Sequence, residues 1–223
     1  MLKRTALSAL TLGAIALAQP AFASFHLMQI EQVIGGVNGD TSRQAIQLRM
    51  RAGGQNQVQL ARVRAWDAAG QNPVTLVDMV SPVAIGAAGA RVLIATNGFL
   101  SPTLIPDFIM NPIPVGYLPA GKITFEDDAG TVWWGFAWGG ASYTGTNTGQ
   151  SGASGVANDA DGNFNPPFAG ALQSSNTQAI QFTGAASAQS TNNAADYALT
   201  AGAAVFTKND GSSGTVPVEL MEF

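Results

Sequence analysis

The stretch KITFEDDAGTVWWGFAW, Lys122 to Trp138, constrains the fold more than any other part of the chain. Lys122 to Phe125 has the composition of a strand, Glu126 to Gly130 that of a turn, and Thr131 to Trp138 that of the returning strand. The unit is therefore expected to be a β-hairpin. Side chains alternate across a strand with period two. That puts Val132, Trp134, Phe136 and Trp138 on one face and Trp133, Gly135, Ala137 and Gly139 on the other. A face of such bulk belongs in a packed core, because burying one aromatic side chain is worth roughly 1.5–3 kcal/mol. The chain has no cysteine, so no disulfide can supplement that core. Trp133 points away from the bulky face and is a candidate ligand-binding residue.

The rest of the chain also reads as β. Apolar residues come in short runs between Gly, Pro, Asn and Asp turn signals. Ala45 to Arg51 alternates, with Ile46, Leu48 and Met50 on one face. His26 to Val33 alternates less regularly. VQLARVRAW ends at an Asp67–Gly70 turn, and further short strands are expected at Val74–Val80, Arg91–Ala95, Gln178–Phe182 and Asp196–Leu199. Pro102, Pro106, Pro112, Pro114 and Pro119 make 97–121 a long crossover with space for one helical turn, and they exclude a long helix or a central strand there.

The N-terminus has the layout of a secretory signal peptide. Lys3 and Arg4 precede an apolar run from Thr5 to Ala18, and Ala21-Phe22-Ala23 is a small-x-small cleavage site. The expectation is a leader over 1–23 and a single domain over 24–223, exported to the periplasm, cell surface or extracellular space. No stretch after the leader has the length of about 20 apolar residues that a transmembrane helix needs.

Charge and residue types remove several functions. The formal charge is −4, and Lys3 and Arg4 lie in the leader, so the remainder is more acidic still. A nucleic-acid partner would require clustered basic residues. Arg43, Arg49, Arg51, Arg62 and Arg64 are close in sequence, but Arg49 with Arg51, and Arg62 with Arg64, fall on shared strand faces, as on a solvated sheet. The single histidine is His26. With no Cys, thiol catalysis and cysteine zinc sites are excluded, and Ser–His–Asp chemistry or a multi-histidine metal site has almost nothing to build on.

Residues 139–170 form a long loop rich in Gly, Ser, Thr and Asn. Such loops carry binding groups or are pinned to the domain by their own side chains. Tyr143 and Phe164 are candidate ligand-binding residues here, with Phe168 as a further pinning aromatic. Asp159, Asp161 and Asn163 are candidate calcium ligands. An EF-hand is excluded, because Ala157 occupies its first acidic position and Phe168 its twelfth. A calcium site of another kind remains open, against the simpler role of these residues as turn formers.

Several short motifs resemble the lamin-tail domain, an immunoglobulin-like β-sandwich found in many exported bacterial proteins. Ile30-Glu31-Gln32-Val33 is similar to its opening strand and Gln44-Ala45-Ile46-Gln47-Leu48 to its "E-x-I-E-L" strand, with glutamines where that family has glutamates. Ala65-Trp66-Asp67 with Gly70, Gly89 with Val92-Leu93-Ile94, the 123–136 hairpin and Asn193 to Leu199 resemble its later strands. The resemblance implies an all-β, immunoglobulin-like antiparallel β-sandwich with long loop insertions, and an interaction role on a glycan, protein or other surface without a common catalytic site. The alternative is an exported polysaccharide-acting hydrolase using carboxylates near the tryptophan strip. Glu126, Asp127 and Asp128 are expected on a solvated turn, where nothing raises an acid's pKa.

Overall fold

The computed structural model describes residues 25–99, 104–145 and 166–216. Its strands are β1 (Met28–Ile34), β2 (Ala45–Met50), β3 (Ala61–Trp66), β4 (Val74–Asp78), β5 (Arg91–Ala95), β6 (Phe108–Ile109), β7 (Gly121–Asp127), β8 (Val132–Trp138), β9 (Ile180–Phe182), β10 (Tyr197–Leu199), β11 (Val205–Thr207) and β12 (Ser213–Thr215). One short helix, α1 (Asn193–Asp196), precedes β10. One sheet has the order β10-β9-β1-β2-β5-β6, the other β4-β3-β7-β8, and β11 and β12 form a separate ribbon. Every pairing is antiparallel except that of β5 with β6. The chain changes sheet between β2 and β3, between β4 and β5, between β6 and β7, and between β8 and β9. The protein is thus an all-β sandwich, as its alternating pattern leads one to expect.

The main core lies between the sheets. Met28, Ile30, Leu48, Val92 and Ile94 come from one side, and Val63, Ile123, Phe125, Trp134 and Phe136 from the other; all are fully buried. Trp134 donates its indole N–H to the Tyr197 hydroxyl at 2.9 Å, and that hydroxyl donates to the Ile30 carbonyl at 2.7 Å. The Trp134 indole and the Tyr197 hydroxyl thus enter the core with their polar atoms paired.

A second core covers half of the other face of the six-stranded sheet. Ile34, Ala45, Leu93 and Ala95 lie there beneath Phe99, Leu104, Phe206 and Val216. Glutamines tie this layer down. Gln32 Nε2 donates to the Val205 carbonyl at 3.0 Å, and the Thr207 N–H donates to Gln47 Oε1 at 2.5 Å. Gln44 holds the proline-rich crossover in the same way, donating to the Ile113 carbonyl at 3.2 Å and accepting from the Ile113 N–H at 2.6 Å. The crossover holds two single 3-10 turns, Asn97–Phe99 and Val115–Tyr117, with the two-residue β6 between them.

Two features depart from the sequence pattern. Phe125 pairs with Trp134 but Glu126 pairs with Val132, so Trp133 is the extra residue of a β-bulge. The bulge breaks the period of two. Val132 leaves the core face and sits opposite Glu126, while Trp133 turns into the main core at 3 % exposure. The hairpin turn also lies later than expected. β7 runs on to Asp127, whose N–H donates to the Thr131 carbonyl while its own carbonyl accepts from Gly130. Glu126 is consequently a strand residue, fully buried, and not part of a solvated turn.

Candidate functional site

Trp133 offers no open ring face. His26 stacks on it with ring centroids 3.9 Å apart and planes 16° apart, and the indole N–H is buried without a hydrogen-bond partner. Tyr143 is also buried, packed on Ala120 and Ala137 against the side of β8 that faces away from the core. Burial pushes its phenol pKa up, and its hydroxyl has no partner among the described residues. Tyr143 thus pins the start of the long loop. Phe168 does so at the loop's far end, donating its N–H to the Ala137 carbonyl at 2.9 Å. Phe164, Asp159, Asp161 and Asn163 lie outside the described residues.

The outward face of β3 and β7 is a charged layer. Arg62, Arg64 and Trp66 stand opposite Glu126, Thr124 and Lys122. Glu126 is ion-paired to both Arg62 and Arg64. Arg64 lies 4.5 Å from the Trp66 ring centroid and the Lys122 ammonium 5.1 Å from it, and the Trp66 indole donates to Thr124 Oγ1 at 2.9 Å. Burial lowers the Lys122 pKa to about 8, against the pull of Glu126 in the other direction. The six-stranded sheet repeats the arrangement: Glu31 takes two hydrogen bonds from Arg91, at 2.8 and 3.0 Å, and one from Gln47 at 2.7 Å. Two of the most buried acids are therefore neutralised by arginine.

The other carboxylates are engaged locally. Asp40 accepts from Ser42, Asp67 from Ala69, Gln71 and Asn72, Asp127 from Thr131, Asp196 from Asn192, and Asp210 from Ser212. Asp107 accepts from the Leu93 and Asn209 N–H groups at 2.8 and 2.9 Å, although burial pushes its carboxyl up. Among the described residues this leaves Asp78 and Asp128 with no hydrogen-bonded or ion-paired carboxylate. Asp128 stands exposed at the hairpin tip.

Asp78 lines a pocket of about 590 Å³ where the edge of β4 meets that of β6. The two sheets are joined there, the Asn111 N–H donating to the Leu76 carbonyl at 2.8 Å. Leu76, Val77, Met110 and Thr96 are buried and form its floor. Its exposed rim carries Ser42, Thr75, Asp78, Asn97, Ile109, Asn111 and Pro112. The size is that of a small-molecule site, and an apolar floor with a few polar groups around it is the usual composition of one. Among the described residues no lysine, arginine or histidine lines it. Sequence reasoning missed this site, because it joins two edge strands distant in the chain. Its one local signal was a lone acid in the strand VTLVD.

The described residues contain no group of three or more His, Cys, Asp or Glu that could hold a metal ion, and no helix among them is long and apolar enough to cross a membrane. The chain matches no protein-family model, no curated protein and no solved structure.

Proposed function

We propose that the chain is an exported, non-catalytic binding module that takes its ligand in the pocket between β4 and β6. One observation carries this reading: among the described residues the pocket holds a single unengaged carboxylate, Asp78. Glycoside hydrolysis by the usual route needs two acids about 5–9.5 Å apart. The buried acids nearest the tryptophan strip do not supply a second, since Glu126 is held by two arginines. A rigid sandwich presenting a polar-rimmed cleft suits recognition without turnover.

The immunoglobulin-like, lamin-tail-like assignment belongs to the same proposal. Its support is the connectivity, in which successive strand pairs alternate between two layers. Export rests on the basic start, apolar run and Ala21-Phe22-Ala23 site. N-terminal sequencing of secreted material should return Ser24 as the first residue. An intact Met1 chain in the cytoplasm refutes export.

The functional test is incubation of the purified chain with cell-wall preparations and polysaccharides, reading both retention and newly released reducing ends. Retention without release is the expected result. Release that disappears in Asp78→Asn establishes the hydrolase instead.

A further inference from the structure

We infer that the pocket between β4 and β6 takes a neutral carbohydrate, recognised by Thr75, Asp78, Asn97 and Asn111 over the apolar floor of Val77 and Met110. This rests on the binding-module reading above and names the ligand class for that site.

The argument begins with which polar groups are unspent. No hydrogen bond or ion pair among the described residues engages the side chains of Thr75, Asp78 or Asn97. Asn111 uses its Nδ2 on the Thr75 carbonyl at 3.3 Å, which leaves its amide oxygen free. The rim therefore offers acceptors, from Asp78, the amide oxygens of Asn97 and Asn111 and the Thr75 hydroxyl, and donors, from the Asn97 amide NH2 and the Thr75 hydroxyl. A sugar hydroxyl donates and accepts at once, and adjacent hydroxyls can satisfy both kinds.

Other ligand classes fit worse. An ammonium group only donates, so it would pair with Asp78 and with the Asn97 and Thr75 oxygens but leave the Asn97 NH2 without an acceptor. An anion would meet the Asp78 carboxylate with no basic side chain among the described lining residues, and Arg62, opposite Asp78 on β3, is spent on Glu126. A calcium ion takes six to eight oxygen ligands, and a single carboxylate is a poor start for it. A purely apolar ligand would cover the rim groups without pairing them. The exposed Ile109, with the edges of the nearly buried Val77 and Met110, gives the C–H face of a sugar ring something to pack on.

The test is an array of neutral oligosaccharides (gluco-, manno-, galacto- and xylo-oligomers and N-acetylglucosamine oligomers) beside sulfated and uronic-acid oligomers. Calorimetric titration of the best neutral oligomer follows, with wild type, Asp78→Ala and Asn97→Ala. Selective neutral binding is expected, weakened about tenfold or more in each variant. Melting midpoints of both variants should match wild type, since both side chains are exposed and unpaired. Preference for the anionic oligomers, no binding to any neutral one, or equal affinity in all three proteins overturns the ligand class. Retention of the chain on cell walls under any of those outcomes keeps the binding-module reading with a different ligand. Release of reducing ends from the neutral oligomers sinks that reading itself.

Discussion

His26 lies flat on Trp133, with ring centroids 3.9 Å apart, and ties the start of the described chain to the bulge in β8. Phe25 packs beside it, edge-on to Phe125 at 6.1 Å. The two aromatics just after the expected cleavage site thus close one end of the sandwich. Trp133 is buried by this lid as well as by the bulge, so its removal should resemble that of a core aromatic. Trp133→Ala is expected to cost about 3–5 kcal/mol, in the range for Trp134→Ala. Urea unfolding of both variants checks this. A Trp133→Ala midpoint near wild type would mean that the stack is not populated in solution.

The same stack makes stability depend on pH. Burial lowers the His26 pKa from its usual 6.5, and the charge of Asp127 opposes that only in part. The unfolded chain therefore takes up the proton at a higher pH than the folded one. The stability contributed by neutral His26 is complete above about pH 6.5 and is lost as the pH falls through the lower, folded-state value. Melting curves at pH 7.5 and at pH 5 should differ more for wild type than for His26→Gln. Identical pH profiles for the two would show that His26 does not titrate between them.

Glu126 is the electrostatic keystone of the outward face of β3 and β7. It is fully buried, and both Arg62 and Arg64 spend their charge on it. Glu126→Ala leaves two partly buried guanidinium groups facing each other, and losing one partner of a buried ion pair costs about 3–5 kcal/mol. Asp128→Ala at the exposed hairpin tip should stay within about 0.5 kcal/mol of wild type. Chemical denaturation of both variants separates the two. Near-equal effects would place Glu126 on the solvated turn that its sequence neighbours suggest.

The contrast shows what the sequence could carry. Ile46, Leu48 and Met50, and likewise Trp134, Phe136 and Trp138, face inward as period two requires, because no irregularity interrupts those stretches. Trp133 and Glu126 were misread for one shared reason. A bulge and a turn start are decided by backbone pairing across two strands, and nothing in VWWGFAW marks which tryptophan is the extra one. Arg62 and Arg64 were rightly put on one face, but their partner Glu126 lies more than 60 positions away in the chain. The pocket was illegible for the same cause: Asp78, Asn97 and Asn111 come together only once β4 and β6 are edges of opposite sheets.

One wall of that pocket depends on a glutamine that does not line it. Asn111 and Pro112 belong to the proline-rich crossover, where Pro112 and Pro114 have no N–H with which to join a sheet. The segment is instead held by the fully buried Gln44, whose amide both donates to and accepts from Ile113, next to Pro112. Gln44→Ala leaves the Ile113 N–H and carbonyl unpaired, at about 1–3 kcal/mol for each group. Gln44→Glu keeps an acceptor for the Ile113 N–H, loses the donor to the carbonyl and buries a charge, so it should not rescue. Limited proteolysis is the sensitive readout, because the crossover should become cleavable between Pro106 and Pro119 before the sandwich unfolds. The same variants should weaken ligand binding although Gln44 never touches the pocket. A cleavage pattern identical to wild type in Gln44→Ala would show that the prolines alone fix the crossover.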